Sequence, residues 1–132
     1  QESLLELRAS DAAGFLRASA TLRQLLGLAR LEGWAVVPAQ VVRDAPRFRH
    51  RGLMLDVGRH FFEVSFIKRL LDWMFLYKLN VFHWHLTDDE GWRLEVRALP
   101  NLTRLGAWRG RDEHMEPQLS GGWRTYGGFY SQ

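Results

Sequence analysis

Two short clusters carry residue types that chemistry needs: Gly58-Arg59-His60 and Thr87-Asp88-Asp89-Glu90. An arginine presents a planar fork of donors able to grip paired hydroxyls or a carboxylate. Paired carboxylates suit acid/base work, because two like charges push their pKa values apart. Each also has an ordinary reading, Arg59 as a loop arginine and Asp88-Asp89 as a solvated acidic turn. Asp56 lies inside the apolar run Leu53-Met54-Leu55-Asp56-Val57; burying it demands a partner, so a structural salt bridge is expected. His83 and His85 flank Trp84 at i and i+2 on one strand face. With Asp88 they would begin a metal site, but the spacing supplies no further ligand, and hydrogen-bonded interior histidines are the preferred reading. Trp84 and Trp92 read as core or wall residues, although an indole face also stacks on ligand rings. No GxSxG, Walker loop, GxGxxG or HExxH is present, and no cofactor is implied.

The elements that must position these residues follow from periodicity. Leu53 to Val57 predicts a strand with both faces covered, stopped by Gly58. Ser65 is placed to cap a helix whose stripe is Phe66, Ile67, Leu70, Leu71, Met74, Phe75 and Tyr77. Asn80 leads into a second strand, Val81 to Leu86. Strand, helix and strand in so short a span predict a βαβ unit with parallel strands. Ligand sites in such units lie at the carboxyl ends of the strands, so the Arg59 and Asp88 segments are expected to meet. Upstream, Ser3–Arg8 predicts a short strand, Asp11 caps a helix ending before Gly33, and Trp34–Val42 predicts a strand edged by Pro38. The joint Arg43-Asp44-Ala45-Pro46 divides the chain into 1–46 and 47–132. Downstream, Trp92 to Val96 alternates with Arg93, Glu95 and Arg97 as an extended arm, and Asn101 to Gly106 holds a helical turn. Six glycines and Pro117 between Gly106 and Gly128 predict a long loop at the rim of a site, and Phe129 to Gln132 reads as a helix N-cap.

Composition narrows the class. In 132 residues, 46% are hydrophobic and 25% charged, which excludes wholesale disorder. A net charge of +3 is spread without a dense basic run, arguing against nucleic acid as a partner. The absence of cysteine excludes disulfide scaffolds and thiolate metal sites without fixing a compartment. No apolar run is long enough for a membrane span, so no membrane partner is expected, and the first residues lack the pattern of a signal peptide. Localisation stays open, with a periplasmic, secreted or lysosomal setting compatible with a longer protein.

The ordered motifs RGLMLDVGRHF, IKRLLDWMFLYKLNVFHWHLTDDEGWRLEV, LPNLTRLGAWR and YGGFYSQ resemble the start of the catalytic domain of glycoside hydrolase family 20, the β-N-acetylhexosaminidases. The resemblance covers nearly all of Pro46 to Gln132, and the preceding segment is similar to the end of the small α/β domain that leads into the barrel in this family. It implies an α/β fold, here the first βαβ unit and following loop of an incomplete (β/α)8 TIM barrel. It also implies release of terminal N-acetylglucosamine or N-acetylgalactosamine from a glycan or chitooligosaccharide. In the mechanism it implies, retaining and substrate-assisted, the sugar's acetamido oxygen attacks the anomeric carbon. Carried over residue by residue, the arginine that grips the terminal sugar's hydroxyls falls on Arg59, and the supporting aspartate falls on Asp88. The family's adjacent Asp-Glu pair follows a later strand, so neither Asp89-Glu90 nor Asp112-Glu113 takes that role, and the chain is expected to be a fragment without turnover. A barrel takes about 250 residues, which supports the same expectation. A carbohydrate-binding or interaction module without catalysis is the alternative.

Overall fold

The computed structural model describes residues 4–33, 37–113 and 124–132. It is a mixed α/β structure in two compact units, Gln1–Gly52 with Leu70–Val81, and Leu53–Arg69 with Phe82–Gln132.

In the first unit, helix α1 spans Ala12–Leu31, and its N-cap is Asp11, whose carboxylate accepts the Gly14 N–H at 2.5 Å. Gly33 follows with φ +71, the left-handed turn that glycine allows at a helix end. The expected strand at Ser3–Arg8 does not form: Leu4 to Arg8 pair with no strand among the described residues, and Leu4 is 88% exposed. Without an apolar surface to cover it, a short apolar run has nothing to hold it in a ladder. Of the second expected strand, Trp34 to Val36 lie outside the described residues and Val37 to Val42 form no strand. Arg51 ties the unit's later segments together. Its Nε donates to the Lys78 carbonyl at 2.8 Å and its Nη1 to the Phe48 carbonyl at 2.6 Å, while Asn80 Oδ1 accepts the Arg51 N–H at 2.9 Å.

Strand β1 is Gly52–Asp56, helix α2 is Val64–Leu76 and strand β2 is Val81–His85. The two strands are neighbours in one sheet. Arg51 C=O accepts the Asn80 N–H at 2.9 Å beside the strand starts, and His85 C=O accepts the Val57 N–H at 3.1 Å beside their ends. Starts face starts, so the pair is parallel. Helix α2 begins one residue before the expected cap Ser65; the Glu63 carbonyl accepts from Phe66 and Ile67 instead. It ends on Lys78, whose φ of 58 closes a two-bond cap: Lys78 N–H to Phe75 C=O at 3.0 Å and Leu79 N–H to Met74 C=O at 2.8 Å. Both faces of β1 were expected to be covered, but Met54 is 55% exposed, so the face of the strand that carries it is left open among the described residues.

The second unit packs around Val57, Ile67 and Tyr130, surrounded by Leu55, Phe62, Phe66 and Trp84. Tyr130 packs on Trp84 with ring centroids 4.6 Å apart, and its hydroxyl donates to the Phe62 carbonyl at 2.7 Å. A tight hairpin follows β2: β3 (Thr87–Asp88) pairs antiparallel with β4 (Gly91–Trp92). The helical turn is present as α3, Asn101–Arg104. Within the region expected to be a loop, β5 (Trp108–Arg109) pairs antiparallel with β6 (Tyr126–Gly127), and Leu94 and Tyr130 form a parallel bridge. Of the residues after Gly128, Tyr130 is part of the core while Phe129, Ser131 and Gln132 are exposed, and no helix begins there; Pro117 lies outside the described residues.

Candidate functional site

The site is built where the second unit's two strands end. The β1 run breaks at Val57-Gly58, turning Arg59 out, and β2 passes through Leu86 into the hairpin that carries Asp88. The expected meeting takes place. Arg59 Nη1 donates to Asp88 Oδ2 at 2.5 Å and to Asp56 Oδ2 at 3.0 Å, and Arg59 Nε lies 3.7 Å from Glu90 Oε2. Asp56 also accepts the Arg59 N–H at 3.1 Å through Oδ1, so it has the salt-bridge partner its position requires. With the carboxylates collected on Nη1 and Nε, Nη2 makes no hydrogen bond to any described residue.

His85 Nε2 lies 2.7 Å from Asp88 Oδ2. A carboxylate only accepts, so this contact places the imidazole proton on Nε2. The same nitrogen then has no lone pair for Arg59 Nη1 at 3.3 Å, which is a contact and not a hydrogen bond. Asp88 Oδ1 accepts the Asp89 N–H at 2.8 Å. The His85 bond, the Asp89 bonds and the Arg59 charge hold the Asp88 carboxyl well below the usual carboxylate range. Desolvation is the largest single influence on Arg59 and lowers its pKa, but Asp88, Asp56 and Glu90 together outweigh it and raise the pKa. Asp88 therefore stays ionised: it can orient and accept, but it is no proton donor near neutral pH.

The other candidates separate from this cluster. His83 is exposed, its ring 6.0 Å from that of His85. Among the described residues no group of three or more His, Asp or Glu side chains is arranged to hold a metal. Trp84 stacks on Phe82 in the core at 5.9 Å, and Trp92 spends its indole N–H on the Leu94 carbonyl at 2.7 Å. Asp112 and Glu113 sit in a turn apart from the cluster, the Glu113 N–H reaching the Gly110 carbonyl at 3.3 Å.

Two residues at the site escaped the sequence reading. Arg93, expected on the polar side of an alternating arm, is fully buried, and Arg109 is nearly so. Arg93 donates to the carbonyls of Val57 at 2.8 Å and Gly58 at 3.0 Å, immediately before Arg59, and to Ala107 and Gly128. Arg109 Nε donates to the Glu90 carbonyl at 2.6 Å and Nη2 to the Asp89 carbonyl, immediately after Asp88. Burial lowers the pKa of both. The signal was there: each stands in a small-Trp-Arg triplet, Gly91-Trp92-Arg93 and Ala107-Trp108-Arg109. A small residue beside the arginine leaves room for a guanidinium. At Gly91 an added Cβ would lie 2.5 Å from Arg93 Cζ and 2.6 Å from the Gly58 oxygen.

A parallel strand pair with an arginine–carboxylate cluster at its carboxyl end places the candidate residues where α/β folds hold their ligand sites. Residues 48–132 match the family described as glycosyl hydrolase family 20, catalytic domain, and the chain belongs to that family. It is 54% identical over 129 residues to a β-hexosaminidase of Vibrio furnissii, covering 97% of this chain and 21% of that protein. It is 46% identical over 106 residues to a β-N-acetylhexosaminidase of Cellulomonas fimi, covering 80% of this chain and 21% of the relative. Among solved structures, the exo β-N-acetylglucosaminidase of Vibrio harveyi in complex with N-acetylglucosamine matches with a TM-score of 0.76 and 46% identity. That match covers 93% of this chain and 19% of the other. The chain thus spans about a fifth of the length of these relatives.

Proposed function

We propose that this chain is part of a β-N-acetylhexosaminidase, spanning the end of one domain and the start of its catalytic barrel. In this reading residues 1–46 end the small α/β domain that precedes the barrel, and 47–132 form the first βαβ unit and following loop of a (β/α)8 barrel. The complete enzyme removes terminal, non-reducing N-acetylhexosamine from glycans by the retaining, substrate-assisted route. The observation that carries the proposal is the Arg59–Asp88 pair at the carboxyl ends of two parallel strands. Family membership adds support, as does a relative of known structure holding N-acetylglucosamine.

The family resemblance, together with the geometry, supports the following roles. Nη2 of the Arg59 fork, with two N–H donors and no hydrogen bond to a described residue, suits sugar hydroxyls, each able to accept a charge-assisted hydrogen bond. Asp88, kept ionised, anchors that fork and holds His85, and supports the site without donating a proton. The acetamido-orienting aspartate and the acid/base glutamate are supplied elsewhere in the complete barrel. Accordingly the 132-residue chain alone is expected to show no turnover of an aryl N-acetylglucosaminide, whereas the complete enzyme cleaves it. Heat-labile hydrolysis by the purified chain would overturn the assignment of the acid/base outside it. Saturable N-acetylglucosamine binding by the chain alone, lost in Arg59→Ala, would favour a binding module over an enzyme part.

A further inference from the structure

We propose that Arg93 and Arg109 are positioning residues of the sugar-binding cluster, one fixing the segment that carries Arg59 and the other the segment that carries Asp88. This rests on the reading of Arg59 as the residue that holds the sugar's hydroxyls.

A buried guanidinium costs free energy unless its donors are satisfied, and neither arginine spends its hydrogen bonds on a carboxylate. Arg93 donates only to backbone carbonyls, two from the strand exit at Val57 and Gly58 and two from Ala107 and Gly128. Arg109 donates to the carbonyls of Asp89 and Glu90 at the tip of the hairpin. Each therefore grips the main chain next to a site residue while touching neither Arg59 nor Asp88. Carbonyls in such turns normally find water; here they are bound to rigid planar forks packed in the interior. Main-chain freedom at residues 57–58 and 89–90 is removed, and with it the freedom of the Arg59 Cα to drift from Asp88. The packing around the first fork is equally committed. Gly91 leaves no space beside the guanidinium, and Phe61 lies under it with its ring centre 5.9 Å from Cζ.

A lysine at either position keeps the charge but offers a point donor in place of a fork, and it cannot span carbonyls from two segments. The site residues would remain, displaced by a fraction of an ångström to an ångström, enough to lower turnover about ten- to a hundredfold. The experiment is a double-substitution cycle in the complete enzyme: Arg93→Lys and Arg109→Lys, each alone and with Arg59→Ala, read as KM, kcat and Tm. The expected result is a KM-weighted loss of about tenfold or more for each lysine variant, shrinking to less than about twofold when Arg59 is already alanine. Equal losses in both backgrounds would mean a general structural role and overturn the proposal, as would no loss in either lysine variant. Arg59→Ala within about threefold of wild type would instead dispose of the sugar-binding reading, and the proposal with it. Should a lysine variant fail to fold, amide exchange in the unsubstituted enzyme decides. Residues 57–60 and 88–91 are expected to exchange as slowly as the core around Ile67, and exchange at the rate of an open loop would overturn the proposal.

Discussion

Replacing Arg59 by alanine in the complete enzyme isolates the sugar contact more cleanly than most active-site substitutions, and the structure says why. Without Arg59, Asp88 keeps its 2.7 Å contact with His85 Nε2 and the Asp89 N–H at 2.8 Å. Asp56 keeps its place at the end of β1 as part of the strand itself. Removing the guanidinium therefore leaves the carboxylates anchored and the fold intact. On the proposed role, two charge-assisted hydrogen bonds to the sugar are lost, each worth at the low end about 1.5 kcal/mol. Three carboxylates also face the ligand without their cation. The donors are lost from substrate and transition state alike, so the larger share falls on KM. A total of about 3 kcal/mol corresponds to roughly 150-fold in kcat/KM. The assay is steady-state hydrolysis of an aryl N-acetylglucosaminide, with Tm measured alongside. A change below about threefold at unaltered Tm would refute the reasoning, and Arg59→Lys should recover only part of the loss because it restores charge without the fork.

Other outcomes follow from the same geometry. Because Asp88 titrates below its unfolded value of 3.8, the native state binds fewer protons; its contribution is complete above that pH and is lost as pH falls through the folded pKa. Tm should decline below about pH 4, and Asp88→Asn should flatten that decline; an unchanged slope would count against the His85–Asp88 bond. Gly91→Ala forces a methyl against Gly58 and the Arg93 guanidinium and should cost about 1–3 kcal/mol by chemical denaturation. Asp11→Ala removes the α1 cap and should cost about 1 kcal/mol, leaving kcat/KM untouched.

How much of this could be read in advance depends on the range of the forces involved. Helix α1 with its Asp11 cap, β1, α2 and β2 were legible because local periodicity and end signals specify them. The meeting of Arg59 with Asp88 was legible because parallel strands must end side by side. The pairing of Trp108–Arg109 with Tyr126–Gly127 was not, since two-residue strands carry no period and are held by contacts far apart in sequence. Arg93 misled for a related reason. In an alternating arm a charge is assigned to water, and only the four distant carbonyls that surround it make burial tolerable. The strand expected at Ser3–Arg8 failed in the opposite sense, with apolar residues present and no ladder to join.

The span of the Arg93 fork has a consequence for synthesis. Its acceptors lie up to 36 residues before it and 35 after it, and the Tyr130 hydroxyl reaches back 68 residues to Phe62. On the ribosome, β1 and α2 emerge long before the groups that immobilise the turn between them. The Arg59 segment can be gripped once Arg93 is made, but the full set of contacts around it closes only when Gly128 and Tyr130 arrive. Contacts so distant in sequence are the slow ones to close. Arg59 is made directly after β1, well before the last of the groups that lock its segment.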